Sequence, residues 1–396
     1  MDIKKKEVVY VLTNVARIGE LSGQIWRLRN IYDENKYNLT VICEPIDLNP
    51  RTNKAVFNIV MRGINVVFSN NSSIISKQGI DRYYAEAVSN PKRIYALLHD
   101  TNIINLFVKT NYMKKPKFYY TLTDLELREG ESLKKKFGIP DSAPIVTFHL
   151  REPGYLSEQK WEDGERKSNS SLENYIPSIA YLINKGYYIV RLGDKSMKRI
   201  KNPPIQLIDA PFHPNYSNMV EPYFISQSKF YITTNTGPSP LAWGFGIPLL
   251  VVNCVLDSRV IMTNNSLIMF KSIYSKQLNR KLTYEEILLS PIADYCDSNT
   301  YFSTSDIEIY ENSPEELLLG VKEMCYRLDG TYKDDKTIDL RVRQIQKRVH
   351  FVRRHLAPEC PVYSPCLRTL YSEEKISHEY LKANPEFLGH DWDNTQ

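Results

Sequence analysis

Two arginines end short apolar runs in this chain. FHLREPGY (148–155) closes one run with His149, Leu150 and Arg151, and YYIVRLGDKSM (187–197) passes through Arg191 to Gly193 and Asp194. At the carboxyl end of a strand, a guanidinium suits a diphosphate, because its planar fork binds two oxygens and its charge does not titrate. A third stretch, FYITTNTGPSPLAWGFGIPLLVVN (230–253), crowds Thr234, Asn235, Thr236 and Gly237 into a strand exit, with Ser239 placed to cap a following helix. A helix start offers unpaired N–H groups and a partial positive charge. Pro238 and Pro240 carry no N–H, which leaves Gly237, Ser239 and Leu241 as backbone donors. Together these residues predict a pyrophosphate cradle.

Strand alternation points His149 to the same side as Arg151, and Asp194 either orients Arg191 or accepts a ribose hydroxyl. His149, Gly193 and Asp194 are thus the candidate nucleotide and ribose contacts. Each stretch has an ordinary alternative. The bend is also a helix cap with a glycine turn, Arg151 has Glu152 beside it, His149 suits a core position, and Arg191 can pair with Asp194.

The first part of the chain supplies titratable groups. NVARIGEL (14–21) follows the first apolar run, where Gly19 permits close approach of backbone and ligand and Glu20 opens a helix. A glutamate in a first helical turn is also simply stabilising. LLHDTN (97–102) places His99 and Asp100 just past another run. Glu20, His99 and Asp100 are the candidates for deprotonating an acceptor hydroxyl.

These positions require strands that end at one edge of a sheet. Candidate strands are 8–14, 39–43, 64–69, 94–98 and 118–123, then 144–151, 187–193, 205–209, 230–235 and 247–253, separated by segments of helical period. Runs that are apolar on both faces and alternate with helices predict parallel sheets covered by helices. KKKFGIPDSAP (134–144) reads as the linker. The predicted organisation is an N-terminal domain over 1–137, a C-terminal domain over 138–335 and a helical region over 336–396. The polar segment 152–170 reads as a long loop.

With 396 residues, 42% apolar and 24% charged, the chain has ordinary globular composition and length enough for two domains. A formal charge of +5 fits an anionic ligand or an anionic membrane surface. It does not imply nucleic acid, and the basic residues are not interleaved with aromatics as in a nucleic-acid module. No apolar run approaches the length of a membrane span, and VVYVL near the N-terminus is too short for a signal-peptide core. Six cysteines without CxxC spacing indicate reduced thiols in a cytoplasmic protein rather than a zinc site or a disulfide framework. DLRVRQIQKRVHFVRRHL (339–356) carries Ile345, Val349, Val352 and Leu356 along one side and many arginines elsewhere. Such a helix lies on an anionic membrane or packs its stripe and solvates its charges. The sequence has no GxGxxG, GxxxxGK[ST], HExxH or GxSxG, and no DxD at a strand end.

VTFHLREPGY, SLENYIPSIAYLINKGYYIVRLGDKSM and SKFYITTNTGPSPLAWGFGIPLLVVN, in this order and spacing, resemble a family of bacterial glycosyltransferases of surface-polysaccharide loci. The likeness is good over roughly 144–260, moderate at EKISHEYLKANPEFL (374–388) and weak in the first domain. FHLREPGY is also remotely similar to the HxRRGDY element of the fucosyltransferase superfamily, whose arginine contacts the nucleotide diphosphate; here Glu152, Pro153 and Gly154 replace its second arginine and Gly-Asp pair.

The resemblance implies a GT-B architecture. In it, two Rossmann-like doubly wound α/β domains with parallel sheets face each other, the second binds the nucleotide-sugar donor, the first binds the acceptor, and a C-terminal helical region crosses back. It implies no cofactor and no metal, with helix dipole and basic side chains neutralising the leaving diphosphate. The expected function is transfer of a sugar to a hydroxyl of a glycan or lipid-linked glycan in capsule or lipopolysaccharide synthesis, in the cytoplasm or peripheral to its membrane. A nucleotide-sugar epimerase of the same fold, or a non-catalytic nucleotide- or glycan-binding subunit of an assembly complex, remain alternatives.

Overall fold

The structure is a computed structural model of the chain. It describes residues 5–71, 93–95, 103, 107, 117–152, 169–234, 237–255, 266–290, 306–356 and 375–389, with backbone alone at 93–95, 350 and 353–356. Two compact units result. The first comprises Met1–Gly130, Ser217–Ser226 and Gly237–Gly246; the second comprises Glu131–Tyr216, Gln227–Thr236 and Ile247–Gln396.

The first unit is built on a parallel sheet of β1 (Lys6–Val11), β2 (Tyr37–Cys43), β3 (Asn65–Phe68) and β4 (Arg93–Tyr95), in the order β3-β2-β1-β4. The inner strand β1 buries Val8 and Tyr10 completely. It leads into α1 (Ile18–Ile31), and α2 (Lys54–Met61) connects β2 to β3. Successive strands step outward from β1 on one side, and β4 lies on its other side, so the strand order reverses between β1 and β4. The loop after β1 therefore opens at a topological switch point, where open α/β sheets bind ligands.

Leu21, Ile25 and Leu28 form the buried stripe of α1, and Trp26 tilts against Trp243 with ring centroids 5.7 Å apart. The stretch 118–123, expected as a strand, belongs to no sheet. The Tyr119 and Tyr120 amides both donate to the Gly244 carbonyl at 3.0 Å. Tyr120 lies so close over Gly244 that a Cβ there would meet its ring at 1.8 Å. Its donors finish a helix end rather than a ladder.

The chain enters the second unit inside α3 (Asp124–Lys136), between Gly130 and Glu131, earlier than the 134–144 stretch read as the linker. That stretch closes the helix instead. Gly138 takes φ +72°, and the Lys134 ammonium donates to the carbonyls of Asp141 at 2.8 Å and Ala143 at 3.4 Å.

The second sheet is also parallel, in the order β14-β10-β9-β8-β5-β6-β7. Its strands are β5 (Ile145–His149), β6 (Tyr188–Arg191), β7 (Leu207–Asp209), β8 (Ser228–Thr233), β9 (Leu249–Cys254), β10 (Leu267–Phe270) and β14 (Lys375–Ile376). All six residues of β9 are buried, as a strand covered on both faces requires. The helix α4 (Ile176–Asn184) packs on β6 and on α8 (Pro314–Leu328), which Ser313 starts with a capping box. From β5 the strands run outward through β6 to β7, then return to β8 on the other side, so this switch point lies between β5 and β8. The parallel α/β class expected from the strand pattern is the class observed.

A small antiparallel sheet, β11 (Ser272–Ser275), β12 (Arg280–Lys281) and β13 (Ile307–Tyr310), was not legible in the sequence, its strands being two to four residues long. The helix α9 (Lys336–Leu356) packs on α7 (Tyr284–Leu289) through buried Ile345, Gln346 and Val349. Residues 336–396, expected to cross back to the N-terminal domain, are thus counted with the second unit. Among the described residues, no helix is long and apolar enough to cross a membrane.

Candidate functional site

At the second switch point, β5 and β8 run side by side, with His149 in register with Thr233. Just beyond, the Arg151 amide donates to the Thr234 hydroxyl at 3.0 Å, and the Arg151 carbonyl accepts from the Ser170 amide at 2.8 Å. The Arg151 amide and the Thr234 side chain thus tie the two strand exits together, and His149, Arg151 and Thr234 lie at the same edge of the sheet. Thr234 is buried, while Arg151 and His149 are partly exposed.

His149 is not a cation there. Burial pushes its pKa down to about 4; the Asp194 carboxylate opposes this, and the guanidinium groups of Arg191 and Arg151 add to it. At neutral pH the ring donates and accepts hydrogen bonds without charge.

Arg191 departs from expectation. It is fully buried, and its fork is taken up by Asp209 Oδ1 at 2.7 Å, Glu152 Oε1 at 2.5 Å and the Lys198 carbonyl at 3.0 Å. A guanidinium at the end of a strand covered on both faces must be neutralised by carboxylates. Asp209, in register with Arg191 on β7, and Glu152 do so. Arg191 is therefore a wall of the site rather than a second phosphate clamp. The acids hold the following turn as well: the Lys198 amide donates to Glu152 Oε2 at 3.3 Å and the Ile200 amide to Asp209 Oδ2 at 2.9 Å.

Within that turn, Asp194 accepts from the Ser196 amide at 2.7 Å, an internal bond rather than a pair with Arg191. Gly193 takes φ +143°, and a Cβ there would lie 1.9 Å from the Met197 sulfur and 3.5 Å from the His149 ring, so only glycine fits. Asp209 is not among the expected site residues, and Glu152, expected beside Arg151, serves Arg191 instead. Their signal was Arg191 itself, a cation at the last position of an apolar strand.

Past β8, Asn235 and Thr236 lie outside the described residues. Ser239 is buried and is the first residue of the seven-residue helix α6 (Ser239–Phe245), whose N-cap position is Pro238. Ser239 is thus not the cap that was expected, because the helix begins one residue too early.

In the first unit, Gly19 accommodates close approach by the chain's own backbone rather than by a ligand. A Cβ on it would lie 2.4 Å from the Gly237 carbonyl oxygen. Glu20 is half-buried and pairs with Arg17 at 3.0 Å. Asn14, also missed, accepts from the amides of Ala16 at 3.1 Å and Arg17 at 3.2 Å and so shapes the turn that opens α1. His99 and Asp100 lie outside the described residues.

One trio, Asp334, Asp339 and His378, brings potential metal-ligand atoms within 4.8 Å of one another. Its charges are already matched. Asp334 accepts from Arg327 and Lys375, each at 2.6 Å, and Asp339 accepts from Lys375 at 3.2 Å. His378 uses Nδ1 to accept the Asp335 amide, which leaves Nε2 as the donor to Asp339 at 2.9 Å. The trio is held by ion pairs and hydrogen bonds within the chain.

No protein-family model matches the chain, and no curated protein matches it. Among solved structures, it is similar to the glycosyl transferase family 9 protein of Veillonella parvula, with 12% identity, 68% of this chain and 87% of the other covered, and a TM-score of 0.39. It is similar to the ADP-heptose lps heptosyltransferase II of E. coli, with 10% identity, coverage of 82% and 99%, and a TM-score of 0.43. The iron-containing heptosyltransferase TibC, in complex with ADP-D-beta-D-heptose, is a third, with 11% identity, coverage of 82% and 77%, and a TM-score of 0.39.

Proposed function

We propose that this chain is a glycosyltransferase that moves a sugar from a nucleotide-activated donor to a hydroxyl of a glycan acceptor in surface-glycan synthesis. The observation that carries the reading is the laced exit of β5 and β8 at the second unit's switch point, where Arg151 and neutral His149 meet. A nucleoside diphosphate placed there has a guanidinium for its phosphates and strand-end backbone for its remaining oxygens. In the reaction, the glycosidic bond to the donor phosphate breaks and a bond to the acceptor oxygen forms. Arg151 balances the negative charge that develops on the departing diphosphate.

Arg191 enters this reading as the residue that fixes the far wall, through Glu152 and the 192–200 turn. Glu20 stands as the described candidate for the base that takes the acceptor proton, held by Arg17.

A thermal-shift panel of UDP, GDP, CMP, ADP and dTDP tests the site, since a ligand bound only by the native state raises its melting temperature. One nucleotide stabilises the protein selectively, and Arg151→Ala abolishes that shift. Indifference to all five overturns the reading. Release of free nucleotide only when a glycan acceptor is added separates transfer from epimerisation, and binding with no turnover on any acceptor marks a non-catalytic subunit.

A further inference from the structure

The sheet edge that carries Arg151 also carries a buried polar network on the far side of β8. Asn253 is the fifth residue of β9, Lys271 follows β10 directly, and Glu311 and Asn312 follow β13. Asn253, Lys271 and Asn312 are buried. Asn253 takes φ +51°, a left-handed conformation that strains a residue with a side chain. Asn312 holds it there: the Asn253 amide donates to Asn312 Oδ1 at 2.7 Å, and the Asn312 amide donates to Asn253 Oδ1 at 2.5 Å.

This network grips residues 169–175. Asn253 Nδ2 donates to the hydroxyls of Ser170 at 2.8 Å and Tyr175 at 3.0 Å. The Lys271 ammonium donates to the Asn169 carbonyl at 2.6 Å, and Glu311 accepts from the Ser171 amide at 2.8 Å. The Ser170 amide in turn donates to the Arg151 carbonyl. Because the Arg151 amide donates to Thr234, the backbone of Arg151 is fixed from both sides. Ser170 thus links the exit of β5 to the end of β9, two strands away.

Stability alone does not favour Lys271. Burial pushes its pKa below the ordinary 10.5, and the Glu311 carboxylate opposes that shift. A methionine of similar length fills the same space without taking a charge out of water, an exchange that is often neutral or stabilising. Asn169 is partly exposed, so water can replace the ammonium at its carbonyl. What the ammonium supplies is a short, directional bond to one backbone oxygen. We infer that Lys271 and Asn253 are positioning residues for the nucleotide site. Acting through Asn169 and Ser170, they fix the Arg151 backbone and so the point from which its guanidinium reaches the diphosphate. The inference rests on the glycosyl-transfer reading, in which Arg151 holds the leaving phosphates.

Lys271→Met, Ser170→Ala and the exposed control Lys347→Met are compared with the parent. UDP, GDP, CMP, ADP and dTDP are titrated by calorimetry, melting without nucleotide reports stability, and hydrogen exchange is followed in peptides spanning 169–175. Lys271→Met melts no lower than the parent, exchanges faster over 169–175 and binds the preferred nucleotide about tenfold or more weakly, as a misplaced binding group does. Ser170→Ala, which removes the hydroxyl that Asn253 holds, weakens binding in the same direction, and the control changes nothing. Parental affinity in both variants, or unchanged exchange in Lys271→Met, overturns the inference alone. So does a Lys271→Met protein that loses stability and affinity together, since that marks a merely structural role. A parent that binds none of the five nucleotides overturns the glycosyl-transfer reading and this inference with it.

Discussion

Gly19 and Gly237 meet backbone to backbone in the first unit. A Cβ on Gly19 would lie 2.4 Å from the Gly237 carbonyl oxygen and 2.8 Å from its Cα. Neither neighbour is a flexible side-chain end, so the contact cannot be relieved by a rotamer change. Gly19→Ala is expected to destabilise the protein by about 1–3 kcal/mol through overpacking, measured by urea unfolding. Gly186→Ala is the comparison: it has nothing within 4 Å of its added Cβ and carries only the strain of φ +85°. Equal losses at both positions would show that the close approach is not what demands glycine at 19.

Arg151 and Arg191 should separate cleanly. Arg191→Met leaves Glu152 and Asp209 buried without their cation, and loss of one partner from such a cluster costs about 3–5 kcal/mol. Adding Glu152→Gln and Asp209→Asn to that variant restores part of the loss, since the uncompensated charges are then gone. Arg151→Ala, at a partly exposed position, changes the melting temperature little and removes nucleotide binding. Chemical denaturation of the four proteins, with the thermal-shift panel beside it, gives the comparison; an Arg191→Met protein as stable as its parent would refute the assignment.

The sheets were legible because their strands are buried on both faces and read as unbroken apolar runs. IPLLVVN, for example, contains Leu249–Cys254 of β9 but for its last residue. FYYTLT, aromatic and threonine-rich, also reads as a strand and forms none, because the Tyr119 and Tyr120 amides are drawn to the Gly244 carbonyl, a partner far away in sequence. The site was half legible for a related reason. Arg151 and Thr234 were located by the strands they end, but the partners of Arg191 depend on which strand lies beside which. Register places Asp209 next to Arg191, and no local pattern announces register. Ser239 failed by one residue, within the usual uncertainty of a helix boundary.

Glu323 fastens the C-terminal segment of the second unit. Its carboxylate, fully buried in α8, accepts from the Ser377 hydroxyl at 2.6 Å and from the amides of His378 at 3.2 Å and Glu379 at 2.9 Å. These are the opening donors of α10 (His378–Ala383), so the acid serves that helix as a cap supplied from elsewhere in the chain. Glu323→Ala orphans those donors and leaves Arg327 with Asp334 alone. It is expected to speed cleavage around residues 375–389 in limited proteolysis and to lower global stability by about 3 kcal/mol or more. Glu323→Gln, which keeps an acceptor oxygen, should be milder; a cleavage rate unchanged in the alanine variant would argue that the segment is held by other contacts.

His149 gives the site a pH signature. Its pKa falls from the ordinary 6.5 to about 4 in the folded protein, chiefly because burial disfavours the imidazolium. Between those values the unfolded chain binds a proton at His149 and the folded chain does not. Stability is therefore undiminished above pH 6.5 and declines as pH falls toward 4, where the folded form also titrates and the decline from this group ends. The slope is at most about 1.4 kcal/mol per pH unit and smaller for a ring that is partly exposed. Carboxylates titrate over the lower part of this window, so the informative quantity is the difference between the parent and His149→Gln in urea unfolding across the pH range. The parent should lose stability relative to the variant as pH drops from 6.5, and a parallel pair of curves would mean that His149 titrates in the folded protein as it does in water.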